Sequence, residues 1–407
     1  MSGVVAGPGE HMTDKTNLHE PFRKALPAVL FVTAIFFFNF ISRVVLAPLM
    51  PVIQQNLGFS HAGAGYLFLA LAVGNGMGLL LSGFISRAVN HKNTVGISGI
   101  LLGIAAMVLP LAGNYAMLLG ALVALGTAAG LYLPSGIATI TSLVRKEDWG
   151  KTMAVHEMAP NLSFVAAPLL AEGMLFFFNW EAAFYLLGGL QICLGLWFLK
   201  GGRGGDFPGA VPSPDTVMQI LRKPVFWLLV LFFSLAIGSS VGPYSMLPLY
   251  LVDEHGFTRE SANHLLAVSR IMACFVPFVA GWITDRWGPK PSICICLALT
   301  GSSLVALGLT SGSALIGVVL IQPTFTVFMF APAFTMLSMV FPPEHRSVCV
   351  ALMGPLNALI GLGVVPTFLG HMGDAGHFDT GFLLLGMIIL SAMFFLPLLP
   401  KGNASQS

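Results

Sequence analysis

The stretch Gly281-Trp282-Ile283-Thr284-Asp285-Arg286-Trp287-Gly288-Pro289-Lys290 places three charged residues and a Gly-Pro pair between two apolar runs. These runs extend over approximately Ser261–Thr284 and Pro291–Leu309. About 20 predominantly apolar residues are enough for a helix to cross a hydrocarbon core of roughly 30 Å. The sequence therefore predicts two membrane-spanning helices joined by a short polar turn.

Composition extends this prediction to the whole chain. Of its 407 residues, 56% are apolar and 9% are charged, whereas soluble domains carry about 25% charged residues. The apolar runs are continuous and lack the alternation of barrel strands, so helices are expected. Cutting at polar and Gly/Pro-rich breaks gives twelve segments, approximately Leu26–Ile53, Ala62–Phe84, Thr94–Gly113, Ala116–Val144, Met153–Phe177, Ala182–Leu199, Pro224–Leu251, Ser261–Thr284, Pro291–Leu309, Ala314–Met339, Cys349–Leu369 and Thr380–Leu399. We expect an all-α membrane protein with twelve transmembrane helices.

The distribution of Lys and Arg predicts the orientation of these helices. With a cytoplasmic N-terminus, sixteen of the 19 Lys and Arg residues fall on the inner side and Arg259 alone falls on the outer side. Basic residues are enriched in cytoplasmic loops. We therefore expect both termini in the cytoplasm and the protein in the plasma (inner) membrane. The true start, Met1 or Met12, stays open.

A polar, Gly- and Pro-rich loop divides the chain into two similar halves. At an offset near 198, Gly58-Phe59-Ser60 falls on Gly256-Phe257-Thr258, and Lys92 falls on Lys290. Such matches describe two six-helix halves in parallel orientation, the repeat type of one large transporter class. The expected organisation is a cytoplasmic segment 1–25, a first bundle 26–199, a cytoplasmic linker 200–223, a second bundle 224–399 and a cytoplasmic tail 400–407.

The stretch quoted first, read as Gly-x-x-x-Asp-Arg-x-Gly-x-Lys, resembles the signature loop of the major facilitator superfamily between its helices 8 and 9. The resemblance implies the fold of that superfamily. It also implies a gating role on the cytoplasmic side for Gly281, Asp285, Arg286 and Gly288. In the first half, Arg87 replaces the acid and Asn90 replaces the second glycine, so we assign the gating role to the second copy only.

Two arginines inside the predicted spans are the main candidates for contact with a substrate. An Arg at bilayer depth costs at least ~2.5–3.5 kcal/mol on insertion scales and usually faces a cavity or a partner. Arg43 and Arg270 lie ten and nine residues from the outer ends of their segments, or about 14–15 Å at about 1.5 Å per residue. We expect both guanidinium groups to hold one carboxylate, with Arg270 as the main contact. Pairing with an internal acid, or snorkelling, is the alternative.

The stretch Phe40–Pro48 around the first of these arginines resembles the first-helix pattern of the organic-anion and phosphate-ester branches of the superfamily. Those branches often have Asp just before the Arg, where this chain has Ser42. Neutral polar residues complete the candidate site, first Tyr244 and Gln322, then Tyr132, Asn357 and Asn161. Hydrogen bonding between helices is the alternative role for each of them.

His156-Glu157 places two titratable groups side by side within a predicted span, so we expect this pair to couple transport to protons. A structural pair that closes the inner gate is the alternative. The leading function is a secondary active transporter that moves a small organic anion, a monocarboxylate or similar acid, with protons. A proton-driven multidrug exporter of the same fold is the alternative, although Pro160–Pro168 lacks the glycines of the exporter motif in helix 5.

Other functional classes find little support in the sequence. The spans carry no metal-binding set, nucleophile motif or Walker sequence, so we expect neither an enzyme nor an ATP-driven pump, and no cofactor. A net charge of +2 without a dense basic block argues against nucleic acid as a partner. We expect the lipid bilayer as surroundings and a functional monomer.

Overall fold

The computed structural model describes residues 20–210, 213–273 and 275–400. Most of these residues lie in helices, and the described ranges contain no β-sheet. The expected terminal segments 1–25 and 400–407 lie largely outside the described residues.

Eleven helices within the described ranges are long and apolar enough to cross a membrane. A further pass consists of two shorter helices that flank residue 274, which is not among the described residues. In chain order the passes are α1 (Phe22–Leu57), α2 (His61–Val89), α3 (His91–Leu111), α4 (Tyr115–Leu143), α5 (Lys146–Phe177), α6 (Trp180–Gly201), α7 (Pro224–Glu254), α8 (Arg259–Ala273 and Val276–Trp287), α9 (Pro289–Leu307), α10 (Gly312–Val340), α11 (Pro343–Ala358, Leu359–Val364 and Val365–Asp374) and α12 (Phe378–Leu398). The prediction of an all-α fold with twelve membrane helices is confirmed.

Some helices begin before the predicted apolar segments. Helix α5 begins at Lys146, whereas hydropathy predicted a start near Met153. Polar contacts stabilise the extra turns, since the Asp148 carboxylate accepts hydrogen bonds from the Phe22 backbone N–H (3.2 Å) and the Lys151 ammonium (2.8 Å). A prediction from hydropathy alone therefore started the helix too late.

The backbone repeats itself at the offset of 198 that the sequence suggested. Gly58 and Gly256 both end a helix in the left-handed region, with φ of 67° and 66°. Asn90 (φ 71°, ψ 168°) and Gly288 (φ 82°, ψ 164°) share a second unusual conformation, one that is essentially restricted to glycine. The degenerate loop of the first half thus keeps the backbone of the intact loop, with a strained Asn where the second half has Gly.

The first and the last described residues lie at the same face as the linker, which we call the linker face. Arg203 donates to the Glu20 carboxylate (2.7 Å), and Phe22 lies against Asp148 of the turn between α4 and α5. At the other end of the chain, the Lys290 ammonium donates to the Leu399 carbonyl (3.1 Å). The face that carries Gly58, Gly256 and Asp374 is the opposite face.

The linker is tied to the first half by backbone hydrogen bonds. The Lys92 N–H donates to the Gly205 carbonyl (2.9 Å), and the Gly209 N–H donates to the Ser86 carbonyl (3.0 Å). The short linker helix Pro214–Leu221 packs instead against α7 and α11 of the second half. The linker therefore has one end on each half.

The two halves are joined towards the opposite face. The Asp374 carboxylate of α11 accepts hydrogen bonds from the first two N–H groups of α2, those of His61 (2.7 Å) and Ala62 (3.0 Å). Arg259 of α8 pairs with Glu172 of α5 through two hydrogen bonds of 3.1 and 2.9 Å. For the described parts of the chain, no hydrogen bond or ion pair joins the halves at the linker face. The structure is thus closed at the opposite face.

Candidate functional site

Arg43 of α1 is a partly buried cation with no polar partner among the described residues. Its Cζ atom lies 4.7 Å from the centre of the Phe40 ring, one turn earlier on the same helix. Its Nε atom is buried and makes no hydrogen bond, and no ion pair reaches the guanidinium from any residue that the structure describes. A charge in this position is costly unless a counter-charge arrives. The group is therefore available to an anion.

Arg270 of α8 is engaged by the protein. It is buried, and it donates one hydrogen bond to the Ser240 hydroxyl (3.0 Å) and one to the Ser240 carbonyl (2.7 Å). Its Cζ atom lies 4.4 Å from the ring centre of Phe164 and 4.8 Å from that of Tyr244. The guanidinium is thus held against α7 of its own half and against α5 of the other half.

Two phenylalanines connect the arginines into one cluster. The Phe40 ring, which contacts Arg43, lies 5.2 Å from the Phe164 ring, which contacts Arg270. The structure therefore brings both predicted arginines to one region, one from each half. Neither ring was among the residues predicted from the sequence. The spacing of Phe40 and Arg43, three residues apart on one helix, could have suggested the first contact, but no sequence signal pointed to Phe164.

Tyr244 and Gln322 lie beside Arg270, as the sequence analysis expected. The Tyr244 hydroxyl donates to the Phe164 carbonyl (3.4 Å), and the Gln322 amide donates to the Ser239 carbonyl (2.9 Å). With Arg270 they line a cavity of about 10 Å³, which is room for about one water molecule. The site is therefore contracted in this conformation.

Tyr132 and His156 form a separate cluster in the first half. The Tyr132 hydroxyl donates to the Val32 carbonyl (2.9 Å) and lies 3.1 Å from His156 Nε2, while His156 Nδ1 lies 3.3 Å from a Glu157 carboxylate oxygen. His156 is buried and stacks on Phe36 at 4.3 Å, whereas the Glu157 side chain is 53% exposed.

This network determines where a proton must lie. Because the single Tyr132 proton points to a carbonyl, His156 Nε2 must donate to the Tyr132 oxygen. His156 Nδ1 and Glu157 then need one further proton between them, carried by either group.

The remaining predicted residues lie outside both clusters. Asn161 donates to the Glu157 carbonyl on its own helix (3.0 Å), and Asn357 accepts a hydrogen bond from Ser234 (3.0 Å), which ties α11 to α7. Asp285 and Arg286 are exposed at the linker face, where Arg286 lies over Trp282. Gly281 and Gly288 are in the same loop region, Gly288 with the positive φ noted above.

Comparison with known proteins agrees with this architecture. The family model described as Major Facilitator Superfamily matches residues 32–278 and 242–407. The chain belongs to the major facilitator superfamily. This membership makes it a membrane transporter of a small molecule rather than an enzyme, and its relatives include organic-anion and monocarboxylate transporters.

Three curated relatives and one solved structure illustrate the range of this superfamily. A "Probable sulfoacetate transporter" of Cupriavidus necator is 21% identical, with 91% of this chain and 94% of that protein covered. "Monocarboxylate transporter 11" of Homo sapiens is 28% identical (60% and 54% covered), and "Multidrug resistance protein MdtL" of Klebsiella pneumoniae is 22% identical (68% and 72% covered). The crystal structure of a bacterial homologue of the human lysosomal transporter Spinster, in an inward-facing and occupied conformation, shares the fold with a TM-score of 0.76 at 17% identity, over 93% of this chain and 97% of that one.

Proposed function

We propose that this member of the superfamily moves a small organic anion, a monocarboxylate or similar acid, and that Arg43 makes the first contact with it. The observation that carries the proposal is the Arg43 guanidinium, which is partly buried and has no polar partner among the described residues. A carboxylate can accept two parallel hydrogen bonds from such a group. The names of the sulfoacetate and monocarboxylate relatives are in line with an anionic substrate.

Arg270, Tyr244 and Gln322 form the second part of the proposed site. Arg270 is bonded to Ser240 in this conformation, so it joins the anion after Arg43 rather than before it. This order reverses the expectation from the sequence, in which Arg270 was the main contact. Asn357 and Asn161 are bonded within their own half, which favours a structural role for both.

Proton coupling is proposed to use the His156–Glu157 pair, with Tyr132 as its fixed partner. The distance of 3.3 Å between the imidazole and the carboxylate supports this role, because a hydrogen bond between them requires a proton on one of the two, and the Glu157 side chain is exposed. The location of the pair also supports this role, because His156 and Glu157 lie on α5, the helix that also carries Phe164 of the arginine cluster.

We also propose that the linker face is cytoplasmic and that the protein acts as a monomer in the plasma membrane. The basic bias of the loops supports this orientation. The structure then corresponds to an inward-facing state, in which 26–199 and 224–399 are the moving halves and 200–223 connects them. In the outward-facing state, the exposed loop with Gly281, Asp285, Arg286 and Gly288 would fasten the linker face.

Counterflow in vesicles tests the proposed substrate class. Purified protein would be reconstituted and assayed with labelled lactate, labelled sulfoacetate and the lipophilic cation tetraphenylphosphonium. We expect exchange of an acid and no exchange of the cation. Arg43→Ala should raise the KM for the acid about tenfold to a hundredfold, because a charge-assisted hydrogen bond contributes about 1.5–3 kcal/mol.

Arg87→Ala is the matched control, since Arg87 is exposed at the linker face and its loss should leave the KM unchanged. Each variant must first show the size-exclusion profile of the wild type. A well-folded Arg43→Ala protein with a wild-type KM would contradict the anion site. Exchange of the cation alone would favour the multidrug exporter, the function that the name of the MdtL relative suggests.

A further inference from the structure

Phe164 of α5 is a side chain at which the two halves meet between the two arginines. Its ring lies 4.4 Å from Arg270 Cζ and 4.7 Å from the Tyr244 ring, both in the second half, and 5.2 Å from the Phe40 ring of the first half. Only 7% of its surface is exposed. In the described ranges, the other hydrogen bonds and ion pairs between the halves lie nearer the opposite face.

The Arg270 guanidinium fits into the corner between two aromatic rings. The rings of Phe164 and Tyr244 are inclined at 70°, and the Cζ atom lies within 5 Å of both ring centres, at 4.4 and 4.8 Å. Two of its nitrogen atoms point to Ser240. Attraction to the ring faces and hydrogen bonding to Ser240 thus act together to hold the group against its own half.

Opening of the opposite face would act directly on this arrangement. Glu172, which pairs with Arg259 and accepts a hydrogen bond from Asn263, lies on α5 about two turns beyond Phe164. When α5 and α8 separate there, the Phe164 ring moves away from Arg270 with the first half. Ser240 and Tyr244 belong to the same half as Arg270 and stay beside it.

We propose that Phe164 is a positioning residue that acts through Arg270. While the opposite face is closed, its ring holds the guanidinium on Ser240; when that face opens, the guanidinium is released to the transported anion. The proposal rests on the proposed function, in which Arg270 contacts that anion. It follows that the anion binds more tightly when the opposite face is open. When that face closes, the Phe164 ring returns to Arg270 and favours release of the anion at the linker face.

The first test needs no substrate. Phenylglyoxal reacts with accessible guanidinium groups, and mass spectrometry of the digested protein reports the reaction at Arg270 and, as an internal reference, at Arg43. We expect slow labelling of Arg270 in the wild type and in Phe164→Tyr. Phe164→Leu should accelerate it about fivefold to thirtyfold, the range for loss of a desolvated cation–π contact.

Phe184→Leu is the matched control. Phe184 is a fully buried phenylalanine of α6 that packs against Trp180 and not against the arginine cluster. Its variant should keep Arg270 protected. Equal labelling of Arg270 in the wild type and in Phe164→Leu would overturn the proposal, and so would faster labelling in Phe184→Leu to the same extent.

The second test measures binding and turnover of labelled sulfoacetate and lactate. Phe164→Leu should lower the KM and also lower the maximal rate, whereas a packing defect would lower the rate without tightening binding. In an Arg270→Lys background the change in KM should disappear. A loss of affinity in Arg270→Lys together with an unchanged KM in Phe164→Leu would overturn the inference alone. An unchanged KM in Arg270→Lys would instead remove Arg270 from the proposed function.

Discussion

Arg43 and Arg270 carry the same charged group in different circumstances. Arg43 contacts one ring and has no polar partner within the described ranges, whereas Arg270 is bonded to Ser240 and packed against two rings. Burial of an unpaired charge is unfavourable, so the anion that we propose to bind Arg43 would offset a cost that the folded protein already carries. In the proposed function, Arg43 is the residue that favours anion entry, and in the further inference Arg270 is the residue whose freedom depends on the conformation.

Glu157 allows proton coupling to be tested apart from substrate binding. Glu157→Gln keeps a side chain that can donate a hydrogen bond to His156 Nδ1, but it removes the carboxylate that can take up a proton. When the medium is more acidic than the vesicle interior, we expect a labelled acid to accumulate in vesicles with the wild type and not in vesicles with this variant. Counterflow, which needs no net proton movement, should persist.

Glu147→Gln provides the control, because Glu147 is an exposed carboxylate near the start of the same helix. It should behave as the wild type in both assays. Gradient-driven accumulation that survives in Glu157→Gln would show that the His156–Glu157 pair is structural, which is the alternative that the sequence left open.

At the residue scale, the sequence indicated the charged candidates but not their contacts. It pointed to both arginines, because charged residues stand out within apolar runs, and helix depth brought them to one level. It could not predict that Ser240 and Phe164 would hold Arg270. Both are ordinary residues of a membrane helix, and their roles arise from packing between helices that are distant in the sequence.

At the scale of elements, α2 and α11 pack very closely at the opposite face. A Cβ atom on Gly65 of α2 would lie 2.5 Å from the Thr367 Cα of α11, and one on Gly370 of α11 would lie 2.3 Å from the His61 carbonyl oxygen. Backbone atoms cannot move aside as a flexible side chain can. These glycines therefore allow the closed arrangement in which Asp374 binds the first N–H groups of α2.

Gly65→Ala should shift the protein away from this closed state. The added methyl group meets backbone atoms of the other half only when the opposite face is closed, so the open state is favoured. A single cysteine placed at Thr367 in a cysteine-free background should react faster with an impermeant thiol reagent from that face, and transport should slow. Because Gly65 lies in a long helix interior, the substitution by Ala also favours the helix itself.

Gly120→Ala is the control for helix propensity, since a Cβ atom on Gly120 of α4 would meet no atom within 4 Å. It should not change the reactivity of the cysteine at position 367. If Gly65→Ala leaves that reactivity unchanged as well, the close contact of α2 and α11 does not control closure.

The sequence predicted the turns at this scale well and the irregular helix segments poorly. The Gly-Phe-Ser and Gly-Phe-Thr stretches mark equivalent helix ends, and Ser60 and Thr258 each accept a hydrogen bond of 3.2 Å from the N–H three residues later. Such caps are local and follow from residue type. The π-helical segments Tyr250–Glu254 and Leu359–Val364 differ from their flanking helices in backbone hydrogen bonding, which hydropathy does not indicate.

At the scale of the whole molecule, hydropathy and the repeat were enough to predict twelve helices in two halves. They could not predict which face is closed, because both conformations of a transporter of this class use the same sequence and the same helices. The difference lies in contacts between the halves, such as Glu172 with Arg259 and Asp374 with α2. Those contacts join residues that are far apart in the chain, with no local pattern to reveal them.

Orientation in the membrane is the property of the whole molecule that a single experiment can determine. The sequence assigns sixteen basic residues to the side of the linker and Arg259 alone to the other side, which predicts that the linker face is cytoplasmic. In a cysteine-free background, Ser213→Cys lies in the linker and Ala375→Cys lies in the turn between α11 and α12. Ala375 is preferable to its neighbour Gly376, whose φ of 69° disfavours any side chain.

An impermeant thiol reagent added to intact cells should label the cysteine at position 375 and spare the one at position 213, and both should react after the cells are opened. The reaction in opened cells is the control, because a buried thiol would also stay unlabelled in intact cells. Labelling of position 213 in intact cells would reverse the topology. The closed face would then be cytoplasmic, and the present conformation would be outward-facing. Phe164 would hold the Arg270 guanidinium on Ser240 while the site is open to the outside, and not while it is open to the cytoplasm.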